Sequence, residues 1–175
     1  MNGMKILGGI LHQGEREAQR RFGAMREGEA MSRIVRDRIS PALARFLEAQ
    51  PFCFIATADN RGECDCSFRG RQHNLPHPPD PLLKVVDEKT LVFPDYSGNK
   101  LYNSLGNILV NPHIGMLFVD FRTGVRVRIN GRAEIIENPQ AFQEAWPDAL
   151  RYVQVAVAQA YPNCNARVPK MALAQ

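Results

Sequence analysis

The sequence predicts an α+β fold in which about six antiparallel strands form a small barrel with helices at its ends. Three observations predict it. Short β-rich runs are separated by Gly-, Asn- and Pro-containing turns. Helical stretches fall between these runs without the strict strand–helix alternation that would mark a parallel sheet. Two pairs of runs are joined by tight, glycine-containing turns of the kind that close hairpins.

Two helical stretches come first. Residues 13–26 and 31–49 are helical in composition and are separated around Gly28. Pro41 interrupts the second, and Ser40 before it makes a cap-and-first-turn pair, so a short helix is predicted to start at Pro41. From Pro51 the pattern changes. Phe52 to Ala58 reads as a strand, Asp59 to Gly62 as a turn, and Glu63 to Phe68 as the returning strand. Gly70 to Pro81 holds four prolines and reads as irregular. Thr90 to Phe93 is a short strand stopped by Pro94, and Asn99 to Val110 a helix ended by Asn111-Pro112. His113 to Phe121 and Gly124 to Glu137 form a second hairpin. Asn138-Pro139 is expected to start a short helix, and Tyr152 to Tyr161 is the last strand. The expected organisation is a helical N-terminal extension over 1–50, packed on a barrel domain over 51–175, within one structural domain.

Composition narrows the function classes. Apolar residues at 45% and charged residues at 23% exclude a mainly disordered chain. The net charge of +4 is concentrated at the front, where residues 1–50 hold nine Lys or Arg against six acids. There Arg16, Arg20, Arg21 and Arg26 alternate with Glu15, Glu17, Glu27 and Glu29, the pattern of a solvated helix face, and nucleic-acid binding is not expected. The apolar run Ile6 to Leu11 is too short for a signal segment or a membrane span, so no membrane partner is expected. Four cysteines without a secretory signal fit a reducing, cytoplasmic compartment. Cys64 and Cys66 share a strand face, but with His73 and His77 they do not make a zinc spacing, and no metal site is expected. A Gly-x-Ser-x-Gly elbow, a Walker loop and a dinucleotide glycine pattern are all absent, and no catalytic residue can be assigned.

Two segments could hold an anion. Phe93 to Lys100 (F-P-D-Y-S-G-N-K) feeds a glycine-containing loop into a helix N-terminus, where free N–H groups attract negative charge. Lys100 is unfavourable beside the positive end of that helix, a conflict that a bound phosphate would remove. Lys100, Asn103 and Asn107 form a polar stripe, and Leu101, Leu105 and Ile108 an apolar one facing the core. The second segment, Cys66 to Arg71, ends a strand with Ser67, Arg69 and Arg71, which could clasp a phosphate. Each segment alone also fits an ordinary exposed, charged surface.

Together they resemble the FMN-binding split-barrel family of pyridoxamine 5′-phosphate oxidase-like proteins. The resemblance runs from about Pro51 to Glu137 through F-I-A-T-A-D-N-R-G-E, S-F-R-G, L-V-F-P-D-Y-S-G-N-K-L-Y-N-S-L-G-N-I, N-P-H-I-G-M-L-F and R-V-R-I-N-G-R-A-E-I, the third being the most specific. The flanking L-H-Q-G-E-R-E-A-Q-R-R-F-G and Y-P-N-C-N look like a bacterial branch of the same family. It implies a six-stranded antiparallel split β-barrel of Greek-key topology with peripheral helices, working as a homodimer with FMN at the interface. Carried over by position, Arg69 and Lys100 would bind the FMN phosphate, with Ser67 and Asn99 as hydrogen-bond partners. Thr57 and the backbone near Phe68 and Gly70 would line the isoalloxazine ring, and Asn107 and Arg126 or Arg128 could come from the facing subunit.

The oxidases proper hold the substrate phosphate with a C-terminal Arg-Leu-x-Pro ending and an Arg-x-His element. Here Asn165 to Lys170 (N-A-R-V-P-K) preserves neither, so vitamin B6 oxidation is not expected. The resemblance implies an FMN-dependent oxidoreductase acting on a small molecule, with NAD(P)H visiting as a diffusing donor. The alternatives are a non-catalytic flavin-binding or sensor module, and a heme-handling split barrel with His113 or His73 as ligand.

Overall fold

Apolar side chains alternate along most of the chain after Pro51, and that alternation builds a single antiparallel sheet. The structure, a computed structural model, describes residues 10–72 and 78–172. His73 and His77 lie outside the described residues.

The chain divides into two compact units, Met1–Arg36 and Asp37–Gln175. The first holds α1 (Gln13–Arg21) and α2 (Met25–Ser32). A reciprocal cap starts α1: His12 Nδ1 accepts from the Gly14 N–H, and Glu15 accepts from the His12 N–H at 2.8 Å. Glu17 takes hydrogen bonds from Arg20 and Arg21, so these two charges are paired within the helix.

The second unit opens with α3 (Pro41–Ala49), which starts where Ser40-Pro41 places it. The Ser40 hydroxyl accepts from the Leu43 N–H at 3.2 Å, and Pro41 occupies the first turn, where no N–H is needed. Of the helix expected over 31–49, Met31 and Ser32 fall at the end of α2 and Pro41–Ala49 form α3. Residues 33–40 leave the helical path, and Ile39 reaches the core from that non-helical segment.

Seven strands follow: β1 (Phe52–Ala58), β2 (Cys64–Gly70), β3 (Lys84–Asp87), β4 (Thr90–Asp95), β5 (His113–Asp120), β6 (Val125–Ile136) and β7 (Arg151–Asn163), with α4 (Asn103–Val110) between β4 and β5. All pairings are antiparallel, and the order is β2-β1-β5-β6-β7-β4-β3. The expected six strands closed into a barrel are thus corrected to seven strands in one open sheet. The additional strand is β3, too short and too weakly alternating to stand out in the sequence. The ladder ends at β2 on one side and β3 on the other.

The sheet nevertheless curls around one core. Cys53 and Ile55 of β1 share a buried cluster with Leu91 and Phe93 of β4, although three strands separate them in the sheet order. Gly131 permits a close approach of the β6 and β7 backbones. A Cβ there would sit 2.3 Å from the Ala156 carbonyl oxygen, where the β6–β7 register slips by one residue. The β5–β6 turn closes on Gly124 at φ +81°, with Asp120 accepting from the Arg122 N–H at 2.9 Å.

Pro94 does not stop β4, which continues to Asp95. The Asp95 carbonyl accepts from the Leu150 N–H, so Pro94 faces the opposite edge, where β3 has already ended at Lys84↔Val92. Its missing N–H removes no ladder bond. Residues 138–150 form successive turns in place of the expected helix, held by a second small core of Trp146, Tyr152 and Val92. Trp146 Nε1 donates to the Pro81 carbonyl at 2.6 Å, an anchor that overrides any helical preference of the segment.

Candidate functional site

Strand alternation decides which face of β2 carries chemistry. The register pairs Cys53 with Arg69, Ile55 with Ser67 and Thr57 with Asp65. Cys53, Ile55 and Thr57 are buried, so Asp65, Ser67 and Arg69 share the inward face of β2. Cys53 lies under Arg69: burial pushes its thiol up to about 12, and the Arg69 charge only partly offsets this.

Helix α4 meets this face. The Ser67 and Ser104 hydroxyls lie 2.9 Å apart, Ser67 donates to Asp65 at 2.9 Å, and Asn103 Nδ2 reaches the other Asp65 oxygen at 3.5 Å. Deeper on the same helix, Asn107 donates to the buried Thr57 hydroxyl at 3.1 Å. The polar side of α4 is thereby fixed against β1 and β2, and Leu105 and Ile108 enter the core.

The helix is shorter than expected. It begins at Asn103, and the four residues before it form a loop with two left-handed positions, Lys100 at φ 68° and Tyr102 at φ 54°. Each is uphill for a non-glycine residue by about 1–3 kcal/mol, a strain that clusters at functional sites. Lys100 is therefore outside the first turn, and Leu101 is 70% exposed instead of facing the core. The loop is organised by Asn99, whose side-chain oxygen accepts from the Leu101 N–H at 3.0 Å, and by Ser97, which accepts from Lys100 Nζ at 3.0 Å. No side chain caps the N-terminus of α4.

Between β2, this loop and α4 lies a cavity of about 370 Å³ lined by Ser67, Arg69, Asn99, Lys100, Asn103 and Ser104, among others. Arg69 and Lys100 bring two cations to its wall, and Asp95 one carboxylate. Arg69 Nε is buried and has no hydrogen-bond partner, one of two such side-chain atoms among the described residues. A buried guanidinium N–H without a partner costs more than an ordinary lost hydrogen bond. Lys100 and the first residues of α4, whose N-terminus no side chain caps, line the same volume.

Two charged groups escaped the sequence reading, one in the cavity wall and one beside it. Asp95 carries a carboxylate into the cavity wall, and Arg151 from β7 lies 3.6 Å from it while its guanidinium covers the Tyr102 ring at 5.5 Å. Burial raises the Asp95 carboxyl above its ordinary range, and Arg69, Arg151 and Lys100 pull it back in that order. Asp95 lies within the F-P-D-Y-S-G-N-K run and could have been found there. Nothing local in the sequence ties Arg151 to it.

The remaining expected residues lie elsewhere. Gly70 lines an adjoining cavity of about 170 Å³ together with Phe68 and Arg69, and Phe68 also borders the larger one. Arg128 lies on the opposite, outer face of the sheet, beside Phe54, Leu117 and Asn130 in a depression of about 310 Å³. Arg126 is bonded to the Cys164 carbonyl at 3.0 Å through Nε. Among the described residues no three potential metal ligands come together. No helix among them is long and apolar enough to cross a membrane.

A family model described as Pyridoxamine 5′-phosphate oxidase matches residues 39–174. Among curated proteins, no sequence matches the chain. The HupZ protein of Group A Streptococcus has a similar structure, at 17% identity, TM-score 0.54, covering 77% of this chain and 99% of that one. A variant of the same streptococcal protein aligns at 19% identity, TM-score 0.53, covering 71% and 99%. A Lactobacillus delbrueckii protein, provisionally assigned as a pyridoxamine 5′-phosphate oxidase, aligns at 15% identity, TM-score 0.52, covering 72% and 95%. At these identities the likeness is one of fold.

Proposed function

Because the chain belongs to the pyridoxamine 5′-phosphate oxidase family, we propose that it binds FMN by its phosphate in the cavity between β2 and α4 and serves as an FMN-dependent oxidoreductase for a small molecule. The observation that carries this reading is Arg69, whose Nε is buried and without a partner, in the wall of the same cavity as Lys100 and Ser67. A phosphate monoester supplies the acceptor oxygens this group lacks, and a planar guanidinium matches them in a way that a point charge cannot. Asn99 and the first amides of α4 are the neutral donors around it, and Ser67, which donates to Asp65, borders the site.

When bound, FMN supplies the redox chemistry, and the chain supplies position and electrostatics. Arg69 and Lys100 hold the phosphate, and the tether of Ser104 to Ser67 fixes the helix N-terminus that completes the cradle. The left-handed positions at Lys100 and Tyr102 keep the loop open to the anion. The segment Asn165 to Lys170 keeps neither the Arg-Leu-x-Pro nor the Arg-x-His element of the oxidases intact, which argues for a substrate other than a B6 vitamer.

The active form is proposed to be a homodimer. Phe52, Phe54 and Phe68 form an aromatic cluster on the outer face of β1–β2, with Phe52 and Phe68 centroids 5.3 Å apart and Phe68 58% exposed. An exposed apolar patch of this kind marks an interface. Arg128, on the same face, is then placed to reach the partner's flavin.

The deciding experiment is an absorption spectrum of the purified protein before and after adding FMN, with NADPH added last. Flavin bands that appear with FMN and bleach with NADPH support the oxidoreductase. Flavin bands that persist with every reductant favour a non-catalytic flavin carrier, and a chain that ignores FMN removes the reading.

A further inference from the structure

The loop that carries Lys100 is strained, and its surroundings must hold it. Residues 96–102 run from the end of β4 to the start of α4, with Lys100 at φ 68° and Tyr102 at φ 54°. Left-handed non-glycine residues persist only where the structure around them over-determines their conformation. Asn99 accepts from the Leu101 N–H and Ser97 from Lys100 Nζ, and the Tyr96 hydroxyl donates to Asp80 at 3.0 Å. These contacts fix the first residue and the middle of the loop. None of them ties the point where the chain leaves β4 to the point where it enters α4.

Arg151 does. It pairs with Asp95 at the end of the β4–β7 ladder, where the Asp95 carbonyl also accepts from the Leu150 N–H at 3.0 Å. Its Nη1 lies 3.6 Å from the Asp95 carboxylate, and its guanidinium carbon lies 5.5 Å from the centre of the Tyr102 ring. Asp95 precedes the loop and Tyr102 closes it, so one planar cation bridges entry and exit. The Arg151 side chain is 24% exposed and that of Asp95 12%, so water screens this pair less than one on the open surface. Asp95, Lys100 and Tyr102 all line the large cavity, and Arg151 stands behind them.

Resting on the reading of this cavity as the FMN phosphate site, we propose that Arg151 is a positioning residue for phosphate recognition. By joining Asp95 to Tyr102 it holds the loop in the conformation that presents Lys100 and the start of α4 to the anion. It acts through the loop and not on the ligand. A loop already held in its binding conformation loses less freedom when the phosphate arrives, and affinity rises by that difference. A guanidinium suits this task because its planar fork can meet a carboxylate while its face lies over a ring. A lysine ammonium is a point charge without that plane.

The test titrates FMN, and separately riboflavin, into the full chain and its variants, with flavin fluorescence reporting binding. Riboflavin lacks the phosphate, so a residue that serves phosphate recognition changes the ratio of the two affinities, and one that only supports the fold lowers both. Arg151→Leu should weaken FMN about five- to tenfold and riboflavin by less than about twofold, the scale of one partly screened cation–π contact with its ion pair. Arg151→Lys should fall closer to Arg151→Leu than to the parent. Tyr102→Leu should match Arg151→Leu, and Tyr102→Phe, which keeps the ring face, should restore most of the FMN affinity that Tyr102→Leu loses. The double variant Arg151→Leu/Tyr102→Leu should be no weaker than either single one, because each breaks the same bridge. Tyr102 is 45% exposed in a loop, so its variants decide the matter even where Arg151→Leu fails to fold. Equal losses of FMN and riboflavin, a lysine variant closer to the parent, or additive losses in the double variant overturn the role of Arg151 and leave the FMN site standing. A parent chain that binds no FMN overturns the flavin reading and this inference with it.

Discussion

The hydroxyl oxygens of Ser67, on β2, and Ser104, in the first turn of α4, lie 2.9 Å apart, and both reach the same oxygen of Asp65. This contact joins a strand edge to a helix start across 37 residues of chain and sets the height of the α4 N-terminus above the inward face of β2. Ser104 is 4% exposed, so its partners are protein groups and not bulk water.

Ser104→Ala removes one member of this partly buried trio and takes a hydrogen-bond partner from Asp65 and Ser67. The expected loss is about 1–2 kcal/mol of stability, read from the urea midpoint, with weaker FMN binding as the cradle loosens. An unchanged midpoint together with unchanged FMN affinity would remove the tether from both roles.

Arg69→Met keeps the apolar stem and deletes the fork. FMN affinity should fall by about 10- to 100-fold, the worth of hydrogen bonds to a charged group, while riboflavin affinity stays within about twofold. Equal losses for the two ligands would place Arg69 away from the phosphate.

Leu117 lies opposite Phe54 in the β1–β5 ladder, on the outer face of the sheet. Leu117→Arg puts a charge into the proposed dimer interface without touching the core. Light scattering should then report a monomer where the parent chain is a dimer, and a variant that still dimerises would move the interface elsewhere.

Gly131→Ala asks for a Cβ where the Ala156 carbonyl oxygen leaves none. The nearest obstacle is backbone, which cannot rotate away, so the cost should reach or exceed about 3 kcal/mol, at the top of the range for overpacking. Denaturant unfolding measures it; a loss below about 1 kcal/mol would mean that the β6–β7 register can shift to make room.

The acid limb of stability should depend on Asp37. Lys89 Nζ, 2.5 Å from its carboxylate, and then Arg38 hold it down to about 2. A depressed carboxyl contributes fully above the unfolded value near 4 and loses that contribution as pH falls toward 2. Asp37→Asn should therefore flatten the pH dependence of the melting temperature between about pH 4 and about pH 2, and added salt should shrink the effect because the pair is exposed.

Much of the local structure was legible in the sequence. Ser40-Pro41 announced the start of α3, Asp59 to Gly62 and Arg122 to Gly124 announced the two hairpin turns, and the stretch from Phe93 to Lys100 drew attention to the cavity that Asn99 and Lys100 line. Each is a short-range matter of caps, turn conformations and alternation. The misses also have physical causes. Pro94 reads as a strand stop only if its N–H is needed, and whether it is needed depends on where β3 ends. Leu101 reads as a core residue only if α4 begins before it, but the left-handed residues at Lys100 and Tyr102 delay the helix and expose the side chain. Residues 138–150 carry a helix-start signal that the burial of Trp146 overrules.

What the sequence by itself determined is the set of strands and turns, the membership of a family, and the two charged segments able to hold an anion. What only the tertiary structure decided is that these segments meet. Arg69 is left with a buried, unpartnered donor because the curl of the sheet turns the inward face of β2 toward the Lys100 loop, and Asp95 and Arg151 join it because β4 and β7 end side by side. Caps and hairpins form between residues a few positions apart and leave a local trace. The charge balance of the cavity is set by strand register and sheet curvature, which bring together groups far apart in the chain.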